Sequence, residues 1–456
     1  MKHLRRMCVA LALMVLLAGL VYSQAVNGSL VGTVTDASGA SAPNTKVTLT
    51  ETNTGIIRTT DTNESGNFSF ADLPPGTYSV TAELSGFKKA TRGGVDVLVN
   101  TTPRVDLQLQ PGSSTETVNV TAEAPMLKTE RADTGRVIET VQLHDLPLGG
   151  SHNFQSLTVL VPGAALPEGQ HSAFFNPQVS LATRFNGQSR LGDNLQLEGV
   201  DDNERTGLLQ VLIPPQEAIQ TVDVSTSNYE AELGRATGGL TNVILKSGTN
   251  QFHGSGYEFN RVSALAARPW YDPARGHFTY NYFGGTFGGP IRKNRTFIFG
   301  DYLRIEDHSA NNDRLTLPLA DMRTGHLNVA APGKNPTTIY DPRSGDPATG
   351  LGRTPFEGNI IPMDRINLVS AKILSVIPQP NFIQASNPFA QNYFVNSPFF
   401  RNTDQFDVKV DHNQTDNDRL TVRYSYSRPV TADASVYGIY GGPRGVGGVG
   451  RQICLL

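Results

Sequence analysis

Between residues 26 and 110, short runs of alternating apolar and polar residues recur at even spacing: Leu30–Thr35, Lys46–Thr52, Ile56–Thr60, Asn67–Ala71, Thr77–Glu83, Val95–Val99 and Arg104–Leu109. Period-two alternation over such lengths predicts strands with one face buried. The breaks carry turn chemistry at Asp36–Gly39, Asn53–Gly55, Asn63–Gly66 and Leu73–Gly76, where Gly supplies positive φ and Asn or Asp bonds to its own backbone. Seven strands at this spacing predict a small β-sandwich, with Phe68, Phe70, Tyr78 and Val80 in its core. A second alternating pair lies far downstream, at Gln405–His412 and Arg419–Ser427. There Phe406, Val408 and Val410 share one face and Gln405, Asp407, Lys409 and Asp411 the other. Leu420, Val422, Tyr424 and Tyr426 likewise oppose Arg419, Thr421, Arg423 and Ser425. Apolar-out, charged-in alternation over about 10 residues is the pattern of a transmembrane β-barrel strand, although a hairpin of a soluble sandwich alternates in the same way. Further strands are predicted at Phe252–Arg261, Tyr280–Phe287 and Thr296–Ile305.

Residues 307–402 are rich in Pro, Gly and Asn and read as a long loop, where ligand contacts tend to lie. Inside it, Asp364 is the expected N-cap of an amphipathic helix carrying Ile366, Val369, Ile373 and Ile377 and stopped by Pro378. The N-terminus is of another kind. Lys2, Arg5 and Arg6 precede an apolar run from Met7 to Val21, followed by Ser23, Gln24 and Ala25. That is the layout of a cleaved secretory signal over residues 1–25; the apolar run falls short of the ~20 residues that cross a bilayer. Beyond Val21 no apolar run is long enough for a membrane helix, so membrane residence requires a barrel.

Composition narrows the chemistry. A net charge of -3 supplies no broad basic face, so nucleic acid is not an expected partner. The two cysteines are Cys8 and Cys454; loss of the first with the signal leaves no internal disulfide. No P-loop, G-x-S-x-G or H-E-x-x-H spacing occurs, so no catalytic role, cofactor or metal is expected. The segment Gly445–Gly450 matches G-x-G-x-x-G in letters only, because no strand-to-helix context surrounds it. The acidic set Glu198, Asp201, Asp202 and Glu204 lacks the spacing of a calcium loop and reads as a solvated turn.

Several landmarks carry a family resemblance. Gly32–Asp36, Gly66–Phe70, Leu73–Val80 and Gly86–Lys88 resemble the carboxypeptidase regulatory-like domain, whose transthyretin-like, carbohydrate-binding-like sandwich is not catalytic. Leu146–Gly149, Leu157–Gly163, Arg184–Gln188, Leu197–Asn203, Ile213–Ser225 and Gly238–Asn250 together resemble the plug of TonB-dependent outer-membrane receptors. Asn281–Asn294 and Thr296–Tyr302 resemble the first barrel strands of the subgroup that carries such a sandwich at its N-terminus. Glu116, Thr117, Val118, Asn119, Val120, Thr121 and Ala122 resemble a TonB box. Physics alone also allows them to be a last strand of the sandwich or a linker strand.

The resemblance implies a mainly β chain: a transthyretin-like β-sandwich at 26–110, a linker with the box-like strand at 111–124, a mixed α/β plug domain at 125–250 and an antiparallel transmembrane β-barrel from 251. It implies residence in the outer membrane and contact with its lipid. It further implies a TonB-like energy-transducing periplasmic partner and uptake of a scarce extracellular ligand such as a siderophore, cobalamin, glycan or peptide. The competing expectation is a surface carbohydrate-binding or adhesion protein that uses the sandwich. A plugged lumen takes ~22 strands, whereas residues 251–456 provide for about five at ~9–11 residues each. The expected barrel is therefore incomplete and the chain a truncated copy that neither inserts stably nor transports.

Overall fold

The structure is a computed structural model that describes all residues except 1–26, 113–116, 120–133, 147, 150–151, 170–174, 206, 230–233, 271, 273–274, 331, 385–386, 416–417, 443–445, 450–451 and 456. The predicted signal segment thus lies outside the described residues. The sandwich is formed by β1 (Gly28–Thr35), β2 (Lys46–Glu51), β3 (Ile57–Asp61), β4 (Asn67–Leu73), β5 (Gly76–Glu83), β6 (Lys89–Val97), β7 (Leu107–Gln108) and β8 (Thr117–Asn119). One sheet has the order β4-β1-β7 and the other β3-β2-β5-β6-β8. Alternation places Leu30, Val34, Val47, Leu49, Phe68, Phe70, Tyr78 and Val80 between them as one core, as the pattern required. Phe68 and Phe70 meet edge to face at 6.1 Å, a preferred aromatic geometry. Gly32 is required here, since a β carbon would lie 1.9 Å from the Val105 carbonyl oxygen. Two strands differ from expectation. β6 starts six residues before Val95, and β7 keeps only the pairs Val34↔Leu107 and Thr35↔Gln108 in parallel with β1.

The middle unit, expected from the sequence to be a plug and called the plug, follows as β9 (Thr134–Glu139), a helix over Thr140–Asp145, a 3-10 turn over Phe154–Leu160, the short pair β10 (Glu168–Gly169) and β11 (Leu181–Ala182), then β12 (Asn194–Leu197), β13 (Val200–Asp201), β14 (Ile219–Ser227) and β15 (Leu240–Leu245). Its sheet runs β13-β12-β15-β14-β9. β15 is buried at every position, which explains why Leu240–Leu245 shows no period-two pattern: a strand covered on both faces has no polar side.

The third unit is one antiparallel wall of seven strands: β16 (His253–Val262), β17 (Phe278–Arg292), β18 (Thr296–Leu315), β19 (Tyr393–Asn413), β20 (Arg419–Asp433), β21 (Val446–Val449) and β22 (Gln452–Leu455). β21 and β22 both pair with β20, the first beside Val430–Asp433 and the second beside Tyr424–Ser427. The described part of the G-x-G-x-x-G match, Val446–Val449, is the strand β21, with no helix following it among the described residues. The sheet is open, with β16 at one edge.

β18 and β19 are 20 and 21 residues long, about twice a bilayer-spanning strand. Their far halves continue as a paired ribbon, Ser309↔Phe399 through Leu315↔Tyr393. The loop is consequently 316–392 and not 307–402. The polar run Asn311–Arg314 reads as a loop in sequence, but it is a strand because the backbone ladder holds it. The loop helix spans Leu368–Val376, and its N-cap is Asn367, whose side chain accepts from the Val369 amide; Asp364 sits in a separate 3-10 turn.

The sandwich docks beneath the wall's short turns. Asn250 donates its amide to the Asn53 carbonyl at 2.9 Å and exchanges side-chain bonds with Asn294 in the β17–β18 turn. Asn100 donates to Asp223 of the plug at 3.1 Å. Phe299, a wall residue, belongs to the plug's core alongside Ile138, Leu143, Val222 and Val243. Phe299→Ala is therefore expected to destabilise the plug by about 3–5 kcal/mol. Val408→Ala, on the 38% exposed outer face, should shift the same urea transition by less than about 1 kcal/mol.

Candidate functional site

The seven TonB-box-like residues are only partly visible. Glu116, Val120, Thr121 and Ala122 lie outside the described residues; Thr117, Val118 and Asn119 form β8, aligned in parallel with Lys89, Ala90 and Thr91 of β6. The described part of this segment thus sits on the edge of the sandwich, away from the plug sheet. Upstream, the Lys88 amide donates to Gln110 and the Gly112 amide to Gly86, so the chain hugs the same edge before residue 113.

The densest chemistry lies where the plug meets the wall. β12 and β13 form a hairpin whose two turn residues are Glu198, at φ 52°, and Gly199, at φ 77°. Two positive φ values in succession define a type I′ turn, the form matched to strand twist. A glutamate in that conformation is uncommon and carries a local cost. The Glu198 amide donates to Val243 and the Gly199 amide to the Asn242 side chain, which fixes the turn against β15. The turn aims the Glu198 carboxylate at the wall. There it pairs with the Lys409 ammonium and, at 3.6 Å, with Nε of Arg423.

The inner face of the wall continues this chemistry. Register sets Asp301 opposite Asp407, Lys409 opposite Arg423 and Asp407 opposite Ser425. Arg423 donates to Ser425 Oγ at 3.0 Å, Ser425 donates to Asp407, and Asp411 accepts from Thr421 Oγ1 and Arg419, both at 2.7 Å. Neither oxygen of buried Asp301 has a hydrogen-bond partner. Two further contacts bind plug to wall: Gln405 donates to the Ile213 carbonyl at 3.1 Å, and Gln178 to Ser427 at 2.7 Å. The His152 ring of the plug stacks on Phe259 of β16 at 3.9 Å.

The acidic set at 198–204 is therefore no solvated turn. Asp202 is 7% exposed and accepts from the Leu212 amide at 3.2 Å; burial, its dominant influence, pushes its carboxyl up to about 8. Asp193 is raised to about 7, again chiefly by burial, despite accepting from the Gly239 amide at 2.8 Å. It lines a plug cavity of about 20 Å³ with Gln155, Thr158, Phe185 and Arg190, space for one water. Only Asp201 faces solvent, paired with Arg235. Among the described residues no group of three His, Cys, Asp or Glu side chains is placed to hold a metal ion. Sequence reasoning missed the Glu198 site because its cations lie more than two hundred residues away. The readable signal was the glycine after it, a turn mark between two apolar strands.

The arrangement joins the middle unit to the inner face of the wall through polar contacts around Glu198, with apolar packing at Phe299 beside them. Residues 244–452 match a family described as "Outer membrane beta barrel domain", and residues 29–110 one described as "Carboxypeptidase regulatory-like domain". Over 307 residues the chain is 28% identical to the TonB-dependent transporter Oar of Myxococcus xanthus, covering 63% of this chain and 28% of that protein. These matches agree with the resemblance to TonB-dependent outer-membrane receptors that carry a regulatory-like sandwich. It spans about a quarter of the length of that curated relative. Among solved structures, the outer membrane transporter YddB from Escherichia coli aligns at 10% identity and TM-score 0.39, over 66% of this chain and 34% of that one. The siderophore receptor PirA from Acinetobacter baumannii aligns at 15% identity and TM-score 0.32, over 70% and 44%.

Burial that holds Asp202 protonated has a thermodynamic consequence. Its pKa of about 8 exceeds the unfolded value near 3.9, so between about pH 4 and 8 the folded state binds one more proton. Stability of the plug should fall as pH rises through that window, by up to about 1.4 kcal/mol per pH unit from this group. Asp202→Asn should remove one proton's share of the slope, measured as the urea midpoint against pH in the full chain.

Proposed function

We infer that a receptor of which this chain represents the sandwich, the plug and the first barrel strands serves ligand uptake at the outer membrane, after export with removal of a signal at residues 1–25. A scarce extracellular ligand of the siderophore, cobalamin, glycan or peptide kind binds on the side of loop 316–392. A TonB-like periplasmic protein grips Glu116, Thr117, Val118, Asn119, Val120, Thr121 and Ala122, and tension on that segment displaces the plug. No covalent step is required of any residue.

The observation that carries this reading is the polar plug–wall seam at Glu198, Lys409 and Arg423. Apolar packing contributes at Phe299, but the charged part of the seam is the part that water can replace. Charged groups regain hydration when parted, so a buried ion pair opposes separation far less than its Coulomb energy suggests. Topology adds a route for force. The gripped segment leads into β9, the edge strand of the plug sheet, which among the described residues is paired only with β14. Pulling an edge strand from its end breaks ladder bonds one after another, not all together. The adhesion alternative gains no support from the sandwich aromatics Phe68, Phe70 and Tyr78, which are buried in its core and unavailable to stack on a sugar.

The test is capture of the full chain by the periplasmic C-terminal domain of TonB. Capture is expected for the native chain and is expected to drop at least about tenfold with Val118→Pro plus Val120→Pro, since proline removes the amides a partner strand needs. Undiminished capture by the double variant would show that another segment is gripped.

A further inference from the structure

We propose that the sandwich is a clutch: by holding β8 on the edge of β6, it takes up tension that would otherwise reach the plug. This rests on the reading of residues 116–122 as the gripped segment.

Three observations place the clutch. The first is the pairing itself, Lys89↔Thr117, Ala90↔Val118 and Thr91↔Asn119. Among the described residues β6 pairs with this strand on one side and with β5 on the other. The second is anchorage. The sandwich is fixed to the wall's turns through Asn53 and Asn250, with Asn250 bonded in turn to Asn294, and to the plug through Asn100 and Asp223. Gly55, at φ 71°, sits so close to the β17–β18 turn that a β carbon would lie 2.7 Å from Asn294 Oδ1. A strand lying on β6 is therefore tied through the sandwich to the wall's β17–β18 turn as well as to the plug.

The third is the length of the hold. Pairing of β5 with β6 is regular from Ala82↔Ala90 to Val80↔Arg92, then shifts before Tyr78↔Val95. Gly93 and Gly94 form the irregularity, with Gly94 at φ 69°. A bulge bends its strand and interrupts the ladder, so the straight edge available to β8 ends just past Thr91. The three residue pairs seen among the described residues make a hold that can be undone, unlike the ladder of fifteen pairs that joins β19 to β20.

Two states follow. With β8 on β6, a partner strand adding to the free side of β8 pulls against the anchored sandwich. With β8 released, the same pull passes to β9 and peels the plug sheet.

The experiment locks the clutch covalently. Thr91→Cys and Asn119→Cys are introduced with Cys454→Ser into the full chain. The two positions are register partners, and neighbouring strands of a sheet hold opposed residues near the separation that a disulfide spans. The chain is captured by the TonB C-terminal domain on a force probe, and extension events of plug length are counted. Oxidation should lower their frequency at least tenfold, and a reducing agent should restore it in the same molecules, which separates locking from misfolding. Equal frequency in oxidised and reduced chains overturns the clutch while leaving the coupling reading intact. Failure of the disulfide to form overturns the β6–β8 pairing on which the clutch depends. Absence of capture in every form, native chain included, defeats the coupling reading and the clutch with it.

Discussion

The contact on which the rest depends is one glutamate at the tip of a tight turn. Glu198 is the plug's charged tooth in the wall, and β12, β13 and β15 hold its turn rigid. Facing it, Lys409 and Arg423 are 6% and 1% exposed. Without Glu198 the Lys409 ammonium would lose its ion pair, whereas Arg423 would keep Asp407, whose carboxylate lies 3.7 Å from its guanidinium. Asp407 also accepts from Ser425, and Asp411 pairs with Arg419 and accepts from Thr421. The plug therefore completes the wall electrostatically. The wall in turn completes the plug by lending Phe299 to its core.

This balance explains the composition of the inner wall. Asp301, Gln405, Asp407, Lys409, Asp411, Arg423 and Ser425 are all buried, yet none belongs to an apolar core. The outer face of the same strands carries Phe406 against Tyr424 and Tyr426, with ring separations of 5.9 and 5.4 Å, as a lipid-facing surface requires. One strand thus presents two surfaces, an apolar aromatic one outside and a polar seam inside. A seam of charges and amides can be parted into water at modest cost. An apolar seam of equal area would resist parting in proportion to its area. The sandwich beneath adds a second level of control, because it grips the strand that precedes β9.

How much of this was legible depends on where the determining contact lies. The hairpin at 405–427 was readable, faces included, because period-two alternation is local. The sandwich core was readable for the same reason. The loop boundaries were not: Asn311–Arg314 has no strand propensity, and only the ladder to Val395 and its neighbours makes it β. Asn367 was a readable cap, being an Asn directly before the helix, but Asp364 offered an equally good local signal. Glu198 and Asp202 were misread as solvated because burial is a property of what packs on a turn. Here that is a strand far along the chain. The pairing of β8 with β6 was open in the sequence, where a linker strand and a last sandwich strand look alike.

The central claim is that plug and wall are held together by charge across one seam. The most direct test is a double-mutant cycle between Glu198→Gln and Lys409→Gln, read as urea stability of the plug in the full chain. If the pair is the tooth of the seam, the two losses should be coupled by about 1–3 kcal/mol. Losses that simply add, within about 0.5 kcal/mol, would contradict it and leave the plug held by packing alone.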